Sequence, residues 1–599
     1  MLFRSDGVRI EAGAPWLAME LAATNLAAAG DRLSGAAIVQ LLDELLSALA
    51  HAHARGAIHR DIKPSNVLLR SRDEHCLLAD FGISWLDRAE DQGQEFTIRL
   101  ATPRFAAPEQ LRGLWRDQGP WTDLYAVGCL AWSLATGQPP FPLADRAQLV
   151  EAHASWPLPR LRARVGLPAG FEDWVGGLLA KDPARRPDRA LVAREALRAL
   201  GRAPDGDVAA GEPPDTDAPT VLFTGTATGD DGAPPEAAAG LGPGMGRSLP
   251  LADWRQAEPE PDPGAPRGAS LLGLREPTLV GREGERDRLW AALRECAEAR
   301  RPGVVVLRGP GGVGKTRLAS WIAATASLLG AAEPLAVHAG GPPEVAVAEA
   351  VVRSLNLHGL ASEELGRALA IRLPALGDTA RAAISALGSA GGSARALPSG
   401  DDAVAAVRDA VLGRAGERVV LAVLDHPADP GGVVAFVHRL LAAEELARTP
   451  LPALLLLVLS DEALLDSAQG AAAVVALCAL PQVAELRVEP LPRAALDRLL
   501  RGELSLDPAL AAAAVERSGG NPQLALTLVE EALAAGERVG SPSAPLVQAA
   551  EAWRSRVRRV QSTLTRAQRR ALVAAAVGGP RVHGPDWTRR SEEHTSELQ

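Results

Sequence analysis

The chain has 599 residues, of which 47% are hydrophobic and 23% are charged. This length is enough for about three to four domains of ~150 residues, so a single small module is excluded. The composition also excludes a wholly disordered or fibrous chain. The net charge of −10 argues against a protein whose main partner is nucleic acid or an anionic membrane surface, although a local basic patch remains compatible with it.

Cysteine usage and hydropathy indicate a cytoplasmic protein. The four cysteines are far apart and form no Cys-x-x-Cys or Cys/His cluster, so neither a disulfide framework nor a zinc site is expected: Cys76, Cys129, Cys296 and Cys478. No apolar run reaches the ~18 residues that a membrane-spanning helix needs. We therefore expect no membrane partner.

The two ends of the chain resemble translated DNA of another origin. Residues 590–599 (RSEEHTSELQ) match the translation of a common sequencing-library adapter, and residues 1–5 (MLFRS) match its other strand read from a GTG start codon. One oligonucleotide thus explains both termini. We expect residues 6–589 to be an internal fragment of a longer gene product.

Residues 6–200 alternate helical patterns with short apolar runs, and they contain an ordered set of polar motifs. A predicted helix at 38–55 is followed by His-Arg-Asp-Ile-Lys-Pro-Ser-Asn at 59–66 and a predicted strand at 67–69. Asp-Phe-Gly follows at 80–82 and Ala-Pro-Glu at 107–109. In this order the motifs resemble the catalytic loop, metal-binding triad and loop terminus of the eukaryotic-type Ser/Thr protein kinases.

The kinase resemblance implies a role for each motif residue. Phosphoryl transfer depends on positioning and on charge neutralisation by Mg²⁺. By resemblance, Asp61 is the catalytic base, Lys63 contacts the transferring phosphate of ATP, and Asn66 and Asp80 hold the metal. The cosubstrate and cofactor are then ATP and Mg²⁺, and the substrates are Ser/Thr hydroxyls of other proteins.

The same resemblance assigns regulatory and structural residues. Thr97 is the expected phosphate acceptor of the activation loop, and Thr102 matches the threonine that faces the substrate near the end of that loop. Asp123 lies on the helix that braces the catalytic loop. Arg186 matches the buried arginine that pairs with Glu109.

One part of the kinase pattern is not found. Residues 15–21 resemble the last N-lobe strand and the hinge, yet no Gly-rich loop precedes them and no lysine precedes Lys63. The fragment as given is therefore expected to be inactive as a kinase. We expect truncation rather than a pseudokinase, because all the catalytic residues of the C-lobe are present.

Residues 201–274 are rich in Pro, Gly, Ala, Asp and Glu and predict a flexible linker. An α/β pattern occupies 275–490, with apolar strands predicted at 303–307, 419–424 and 454–459 and helices between them, as a parallel sheet requires. The first of these strands leads into Gly-Pro-Gly-Gly-Val-Gly-Lys-Thr at 309–316 and a predicted helix at 317–327.

This strand, loop and helix satisfy the P-loop pattern in its required context. Glycines let backbone N–H groups wrap the phosphates of a nucleotide, the lysine reaches the β and γ oxygens, and the threonine binds Mg²⁺. The predicted nucleotide-binding residues are Gly309, Gly311, Gly312, Gly314, Lys315, Thr316 and Asp425, the last of which ends the strand at 419–424.

Short motifs around the P-loop resemble bacterial signalling ATPases of the STAND type. Val-Gly-Arg-Glu at 280–283 resembles the segment that flanks the adenine, and Gly-Gly-Asn-Pro at 519–522 resembles part of the lid. Asp425 matches the acid that holds Mg²⁺ through water, but His426 stands where the family usually has a second acid. The strand at 454–459 ends without the arginine often found there. Nucleotide binding is therefore a firmer expectation than hydrolysis.

The remaining residues predict helices. Residues 491–540 are expected to form a helical lid, and 541–589 are expected to begin a winged-helix-like region with arginines on one face, for which a solvated surface is a better interpretation than a DNA-binding one. By resemblance, the region beyond residue 589 binds a regulatory protein or ligand.

The predicted fold is multidomain. It comprises a mainly α protein-kinase C-lobe, with the N-lobe largely missing, and an α/β P-loop NTPase with a parallel sheet and a helical lid. The predicted function is an ATP-dependent Ser/Thr protein kinase coupled to a nucleotide-binding STAND-type module in signal transduction. The alternative is a catalytically inactive pseudokinase that serves as a nucleotide-dependent scaffold. The N-lobe distinguishes the two.

Overall fold

The computed structural model describes most of the chain from residue 5 to residue 534. The described residues form two compact units, one made mainly of residues up to 257 and the other mainly of residues after it. Thr97, Thr102, the region 541–589 and the C-terminal ten residues lie outside the described residues, as does most of the predicted linker. The described ranges are 5–11, 14–19, 22–70, 76–80, 103–201, 253–257, 278–337, 341–388, 400–415, 418–427, 429–445, 447, 449–465 and 467–534.

The first unit contains five short strands in two antiparallel sheets. One sheet is a hairpin of β1 (Ser5–Glu11) and β2 (Ala14–Met19). The other has the order β3-β4-β5 and carries the residues that follow the catalytic-loop motif. Its strand β4 has the bounds predicted from the sequence. These three strands are β3 (Thr24–Asn25), β4 (Val67–Leu69) and β5 (Cys76–Leu78).

The described residues of the first unit contain seven α-helices. They are α1 (Leu26–Ala29), α2 (Gly35–His53), α3 (Pro108–Leu111), α4 (Pro120–Thr136), α5 (Arg146–Ser155), α6 (Phe171–Leu178) and α7 (Ala190–Ala199).

Helix α2 is the helix predicted before the catalytic-loop motif. Its apolar residues recur at three- and four-residue spacing and are buried, so one face of the helix packs into the core of the unit. It begins three residues earlier than predicted because the Ser34 hydroxyl accepts a hydrogen bond from the Ala37 N–H at 3.3 Å and caps the helix. It is the one described helix that is long and apolar enough to cross a bilayer, and more than half of that stretch is buried in the unit.

Helix α4 is buried on nearly all sides and lies against α2. Pro120 occupies its first turn, and it ends at Gly137, whose φ of 83° is the left-handed conformation that glycine adopts without strain. Because the helix is closely packed, a residue near its N-terminus is held in a fixed position, and Asp123 lies there.

A five-stranded, all-parallel sheet forms the centre of the second unit. The strand order is β10-β6-β9-β8-β7. The three central strands are the ones predicted from the sequence, each a residue or two longer, and the two edge strands were not predicted. The strands are β6 (Gly303–Gly309), β7 (Ala332–Val337), β8 (Val419–Asp425), β9 (Ala453–Ser460) and β10 (Val483–Arg487).

The register of this sheet brings three functional loops to one edge. Gly309 at the end of β6 pairs with Ser460 at the end of β9, and Asp425 at the end of β8 pairs with Val458. Strand β9 therefore lies between the strand that leads into the P-loop and the strand that ends in Asp425. The residues that follow β9 emerge between these two sites.

Nine helices surround the sheet. They are α8 (Glu283–Ala299), α9 (Lys315–Leu328), α10 (Pro343–Ser354), α11 (Ser362–Arg372), α12 (Asp378–Gly388), α13 (Gly400–Ala415), α14 (Pro430–Glu445), α15 (Asp461–Leu465) and α16 (Ala468–Cys478).

The described chain after β10 is helical between Arg493 and Ala534, inside the range 491–540 for which a helical lid is predicted. This helical part has its own small apolar core, centred on Leu496 and Leu500. Its elements are α17 (Arg493–Asp497), a π-helix (Arg498–Glu503), α18 (Pro508–Ser518) and α19 (Pro522–Ala534).

Candidate functional sites

The predicted catalytic loop of the first unit brings two polar side chains onto the Asp61 carboxylate. Lys63 Nζ donates a hydrogen bond to Asp61 Oδ2 at 2.7 Å. Asn66 Nδ2 donates to the same oxygen at 3.0 Å and to the Asp61 backbone carbonyl at 2.8 Å. The Asn66 side-chain oxygen accepts from the Ser65 hydroxyl at 3.3 Å, and its second lone pair can serve a metal ion.

Asp123 on α4 fixes the backbone of this loop. Its carboxylate accepts hydrogen bonds from the N–H of His59 at 2.8 Å and the N–H of Arg60 at 2.7 Å. His53 Nε2 lies 2.8 Å from the same carboxylate. Burial alone would raise the pKa of Asp123, but the hydrogen bond to His53 and the other contacts lower it below its usual value. The buried carboxylate is therefore ionised, and it supports a loop in which Arg60 has a φ of 66°.

The predicted metal ligand Asp80 follows β5 and also has a left-handed backbone, with a φ of 58°. The preceding residue, Ala79, connects it to the catalytic loop. The Ala79 carbonyl lies 2.9 Å from His59 Nε2, and the Ala79 N–H donates to the Asn66 carbonyl at 2.9 Å. Asp80 and Asn66 are thus mounted on adjoining, hydrogen-bonded segments.

Glu109 and Arg186 form a buried, bidentate ion pair. Arg186 Nη1 and Nη2 donate to the two Glu109 oxygens at 2.8 and 3.0 Å, and the guanidinium also donates to three backbone carbonyls. Thr122 Oγ1 donates to Glu109 at 2.8 Å. Every polar group of the pair therefore has a partner, which is the condition under which a buried pair is stable.

Gln110 was not predicted as a site residue. Its side-chain nitrogen donates to the Arg60 carbonyl at 2.9 Å, and its oxygen accepts from the Ala107 N–H at 3.1 Å. It joins the segment at 107–109 to the catalytic loop. Its position directly after Glu109 was the only sign of this in the sequence.

In the second unit, the P-loop lies between β6 and α9 as predicted. Gly312 and Gly314 have φ values of 79° and 98°, which favour glycine. A Cβ on Gly309 would lie 2.3 Å from the Val488 carbonyl oxygen, so this position has no room for a side chain. Three of the four predicted glycines are thus required by conformation or space.

Lys315 is folded back onto the P-loop. Its ammonium donates to the carbonyls of Gly309 and Pro310 at 2.8 and 2.7 Å. Burial lowers the pKa of Lys315, while nearby carboxylates, including Asp425, oppose that effect. The ammonium lies at the P-loop, where it can exchange these carbonyl acceptors for the phosphate oxygens of a bound nucleotide.

Thr316 and Asp425 meet as the P-loop pattern predicts. Thr316 Oγ1 donates to Asp425 Oδ1 at 3.2 Å. Burial raises the pKa of Asp425, and the neighbouring His426, Thr316 and Lys315 counteract it. His426 has a φ of 44° and lies 3.8 Å from the same carboxylate, and burial lowers its pKa.

Three side chains from other segments contact the P-loop backbone. Arg282 donates to the Val313 carbonyl at 2.9 Å, and Asn521 Nδ2 donates to the Gly311 carbonyl at 2.8 Å. The motifs at 280–283 and 519–522 had singled out the first two. Glu462, just after β9, accepts from the Gly311 N–H at 3.0 Å, and no motif predicted it.

A cavity of about 530 Å³ adjoins the segment at 280–283. It is lined by that segment and by the π-helix Arg498–Glu503 of the helical part. Its volume is that of a small-molecule site.

The donor atoms at both sites fit a magnesium ion held together with phosphates. Mg²⁺ prefers oxygen ligands and is usually held by one or two carboxylates plus substrate phosphates. The first unit offers the Asn66 side-chain oxygen and the Asp80 carboxylate, and the second offers the Thr316 hydroxyl and the Asp425 carboxylate.

Comparison with known proteins identifies two domains. The protein kinase domain family matches residues 11–198, and the AAA ATPase domain family matches residues 278–459. The chain carries a protein kinase domain followed by an AAA ATPase domain. The kinase domain contains the loop built around Asp61, and the ATPase domain contains the P-loop and Asp425.

Similar proteins from Mycobacterium tuberculosis are named as Ser/Thr kinases. Serine/threonine-protein kinase PknJ is 40% identical over 207 residues, which is 33% of this chain and 33% of the relative. Serine/threonine-protein kinase PknF is 35% identical over 189 residues, 31% of this chain and 38% of the relative. PknH is 36% identical over 165 residues, 26% of each. The chain thus spans about a third of the length of these curated relatives.

Proposed function

We propose that the protein is an ATP-dependent Ser/Thr protein kinase whose C-terminal ATPase domain is a nucleotide-binding regulatory module. The observation that carries the kinase proposal is the convergence of Lys63 and Asn66 on the Asp61 carboxylate, at 2.7 and 3.0 Å, on a loop whose backbone is held by Asp123. Phosphoryl transfer needs this kind of preorganised positioning more than covalent chemistry.

Each residue of the loop then has a defined task. Asp61 orients the hydroxyl of a protein substrate and accepts its proton, and Lys63 contacts the phosphate that is transferred. Asn66 and Asp80 are the ligands for Mg²⁺, which neutralises phosphate charge when it is bound. The substrates are proteins, and we place the activity in the cytoplasm.

A complete kinase reaction also requires a loop over the phosphates and a strand lysine. The first lysine of this sequence is Lys63. We therefore propose the activity for a kinase domain that includes these N-lobe elements. The pseudokinase alternative is not favoured, because the C-lobe residues are assembled and the similar proteins are kinases.

The kinase proposal is tested with the Asp61→Asn variant of the full gene product. Loss of a general base lowers turnover by about 10²- to 10⁴-fold, so incorporation of phosphate from labelled ATP should fall by at least about 100-fold. Asp145→Asn is the matched control, because Asp145 caps a surface helix of the same domain. Undiminished phosphate incorporation in Asp61→Asn would contradict the proposal.

For the ATPase domain, the carrying observation is the P-loop with its buried lysine and the contact between Thr316 and Asp425. We propose that it binds ATP and acts as a switch that responds to a regulatory protein or ligand. Lys315→Ala should lower 8-azido-ATP labelling of peptides from 278–534 by at least about tenfold, because the ammonium is the main cation at the phosphates. Arg288→Ala, an exposed cation on α8, serves as the control. Equal labelling of both variants would overturn nucleotide binding at this P-loop.

A further inference from the structure

Hydrolysis of ATP at this P-loop requires a carboxylate that accepts a proton from the attacking water, and the usual position does not supply one. The residue after Asp425 is His426, so this position holds no carboxylate. Burial lowers the pKa of His426. A general base for water must lie within hydrogen-bond reach, directly or through one water, of the atom that it deprotonates. The candidates are therefore carboxylates at the same edge of the sheet.

Strand β9 delivers two further carboxylates to that edge. Because β9 lies between β6 and β8, with Ser460 paired to Gly309, the residues after Ser460 emerge between the P-loop and Asp425. These residues are Asp461 and Glu462, the first two of α15. The short α15 thus starts at the point where the γ-phosphate of a bound nucleotide would be approached.

Asp461 is already committed to arginines. Arg308 Nε lies 3.2 Å from Asp461 Oδ1, and Arg487 Nη2 lies 3.5 Å from Asp461 Oδ2. Both oxygens of the Asp461 carboxylate therefore face guanidinium groups. Asp461 thus fixes the start of α15 to the sheet.

Glu462 is differently placed. Its two carboxylate oxygens lie 3.0 and 3.1 Å from the Gly311 backbone nitrogen in the P-loop. No arginine or lysine in the described part of the chain lies within ion-pair distance of it. It is close enough to the Lys315 ammonium and to His426 to affect the pKa of each. Lys315 is the residue that reaches the β and γ oxygens, so Glu462 stands beside the place where the γ-phosphate is held.

We propose that Glu462 is the general base for ATP hydrolysis in the ATPase domain. This rests on the nucleotide binding proposed above. A Glu462 oxygen takes a proton from a water molecule while the water oxygen bonds to the γ-phosphorus. The bond from that phosphorus to the β,γ-bridging oxygen breaks, and its electron pair stays with ADP. The products are ADP and inorganic phosphate, and Glu462 returns the proton to solvent.

The experiment compares Glu462→Gln with Glu485→Gln. Both are made in the full chain carrying Asp61→Asn, so that the kinase domain contributes no turnover. Glu485 is a matched control because it is an exposed glutamate in the middle of β10, paired with Arg308 at 3.2 Å and away from the strand ends that meet at the P-loop. Phosphate release from ATP gives turnover, and 8-azido-ATP labelling of peptides from 278–534 gives binding.

Glu462→Gln should lower phosphate release by at least about 100-fold while nucleotide labelling stays equal or increases. Glu485→Gln should leave both unchanged. The assignment is overturned if Glu462→Gln keeps most of its turnover, if it loses labelling together with turnover, or if the parent chain binds ATP without releasing phosphate. Absence of labelling in the parent chain would instead remove the proposed nucleotide site, and the base with it.

Discussion

The side-chain amide of Asn521 donates a hydrogen bond to the backbone carbonyl of Gly311, across 2.8 Å, and so joins the helical part of the ATPase domain to its P-loop. The same side chain caps α19, because its oxygen accepts from the Leu524 N–H at 3.1 Å. A second link runs beside it, since the Gln523 N–H donates to the Gly312 carbonyl at 3.3 Å. A movement of the P-loop backbone would therefore displace the first turn of α19 through these two hydrogen bonds.

Replacing Asn521 by serine should weaken ATP binding at the P-loop. Serine retains the capping oxygen but cannot reach Gly311, so the change isolates the link between the two parts. A hydrogen bond contributes about 1 kcal/mol, which corresponds to about a fivefold loss of affinity. The concentration dependence of 8-azido-ATP labelling measures it. Thr527→Ala, a half-buried change on the same helix that removes only a hydrogen bond to the Gln523 carbonyl, should have no effect, and an equal effect of both variants would contradict the role of the link.

Asp123→Asn should loosen the catalytic loop of the kinase domain. The variant keeps the size of the side chain but lacks the charge and one of the acceptors that receive the His59 and Arg60 N–H groups. An unsatisfied buried donor costs about 1–3 kcal/mol. Hydrogen exchange of the peptide containing 59–61 should accelerate by about tenfold or more. Asp145→Asn provides the comparison, and unchanged exchange in Asp123→Asn would show that the loop does not depend on the carboxylate.

Removing one partner of the Glu109 and Arg186 pair should lower the free energy of unfolding more than removing both partners. Arg186→Met leaves a buried carboxylate without its cation, for which about 3–5 kcal/mol is typical. The double variant Glu109→Gln, Arg186→Met should recover at least half of that loss. Thiol labelling of Cys129, which is buried in α4, measures the opening of this domain as urea is raised. A double variant no more stable than Arg186→Met would argue against a charge-specific cost.

The stability of the kinase domain should fall in acid through His153. This histidine is fully buried, its Nδ1 lies 2.9 Å from the Tyr125 hydroxyl, and burial, aided by the Lys181 charge, lowers its pKa to about 4. The folded pKa is below the unfolded value of 6.5, so the stabilisation is full above pH 6.5 and is lost as pH falls to 4 and below. The stabilisation that is lost amounts to up to about 3 kcal/mol of the free energy of unfolding.

This pH dependence is tested by comparing the stability of the wild type with that of the His153→Gln variant. Hydrogen exchange in α4, corrected for intrinsic rates, is compared for the wild type and His153→Gln, which retains a partner for Tyr125. The advantage of the wild type should shrink between pH 6.5 and pH 4. A difference that is constant over this range would show that His153 does not titrate with unfolding.

The sequence predicted the central strands of the ATPase sheet but not its edges. Strands β6, β8 and β9 are nearly continuous apolar runs because they are covered on both faces. The edge strands β7 and β10 contain Pro334 and the exposed Glu485, and they lack this signal. Their pairing is decided by the neighbouring strand rather than by their own residues.

The same division holds for the sites. Asp61, Lys63 and Asn66 lie within six residues and were found as one motif. Glu462 and Gly311 are 151 positions apart, and only the strand order of the sheet brings them together. A residue that acts through such a contact carries no local pattern, so a sequence reading that depends on spacing does not find it.

The three lysines of the chain have a chemical consequence. Lys63 lies in the proposed catalytic loop and Lys315 in the P-loop, and Lys181 donates to the Ala152 carbonyl and lies over the Phe141 ring. All other basic side chains are arginine or histidine, which acylating reagents modify poorly at neutral pH. An acyl-phosphate derivative of ATP should therefore acylate the chain at two amines, one in each domain. The ratio of the two modified peptides would report how nucleotide is divided between the kinase domain and the ATPase domain in a single sample.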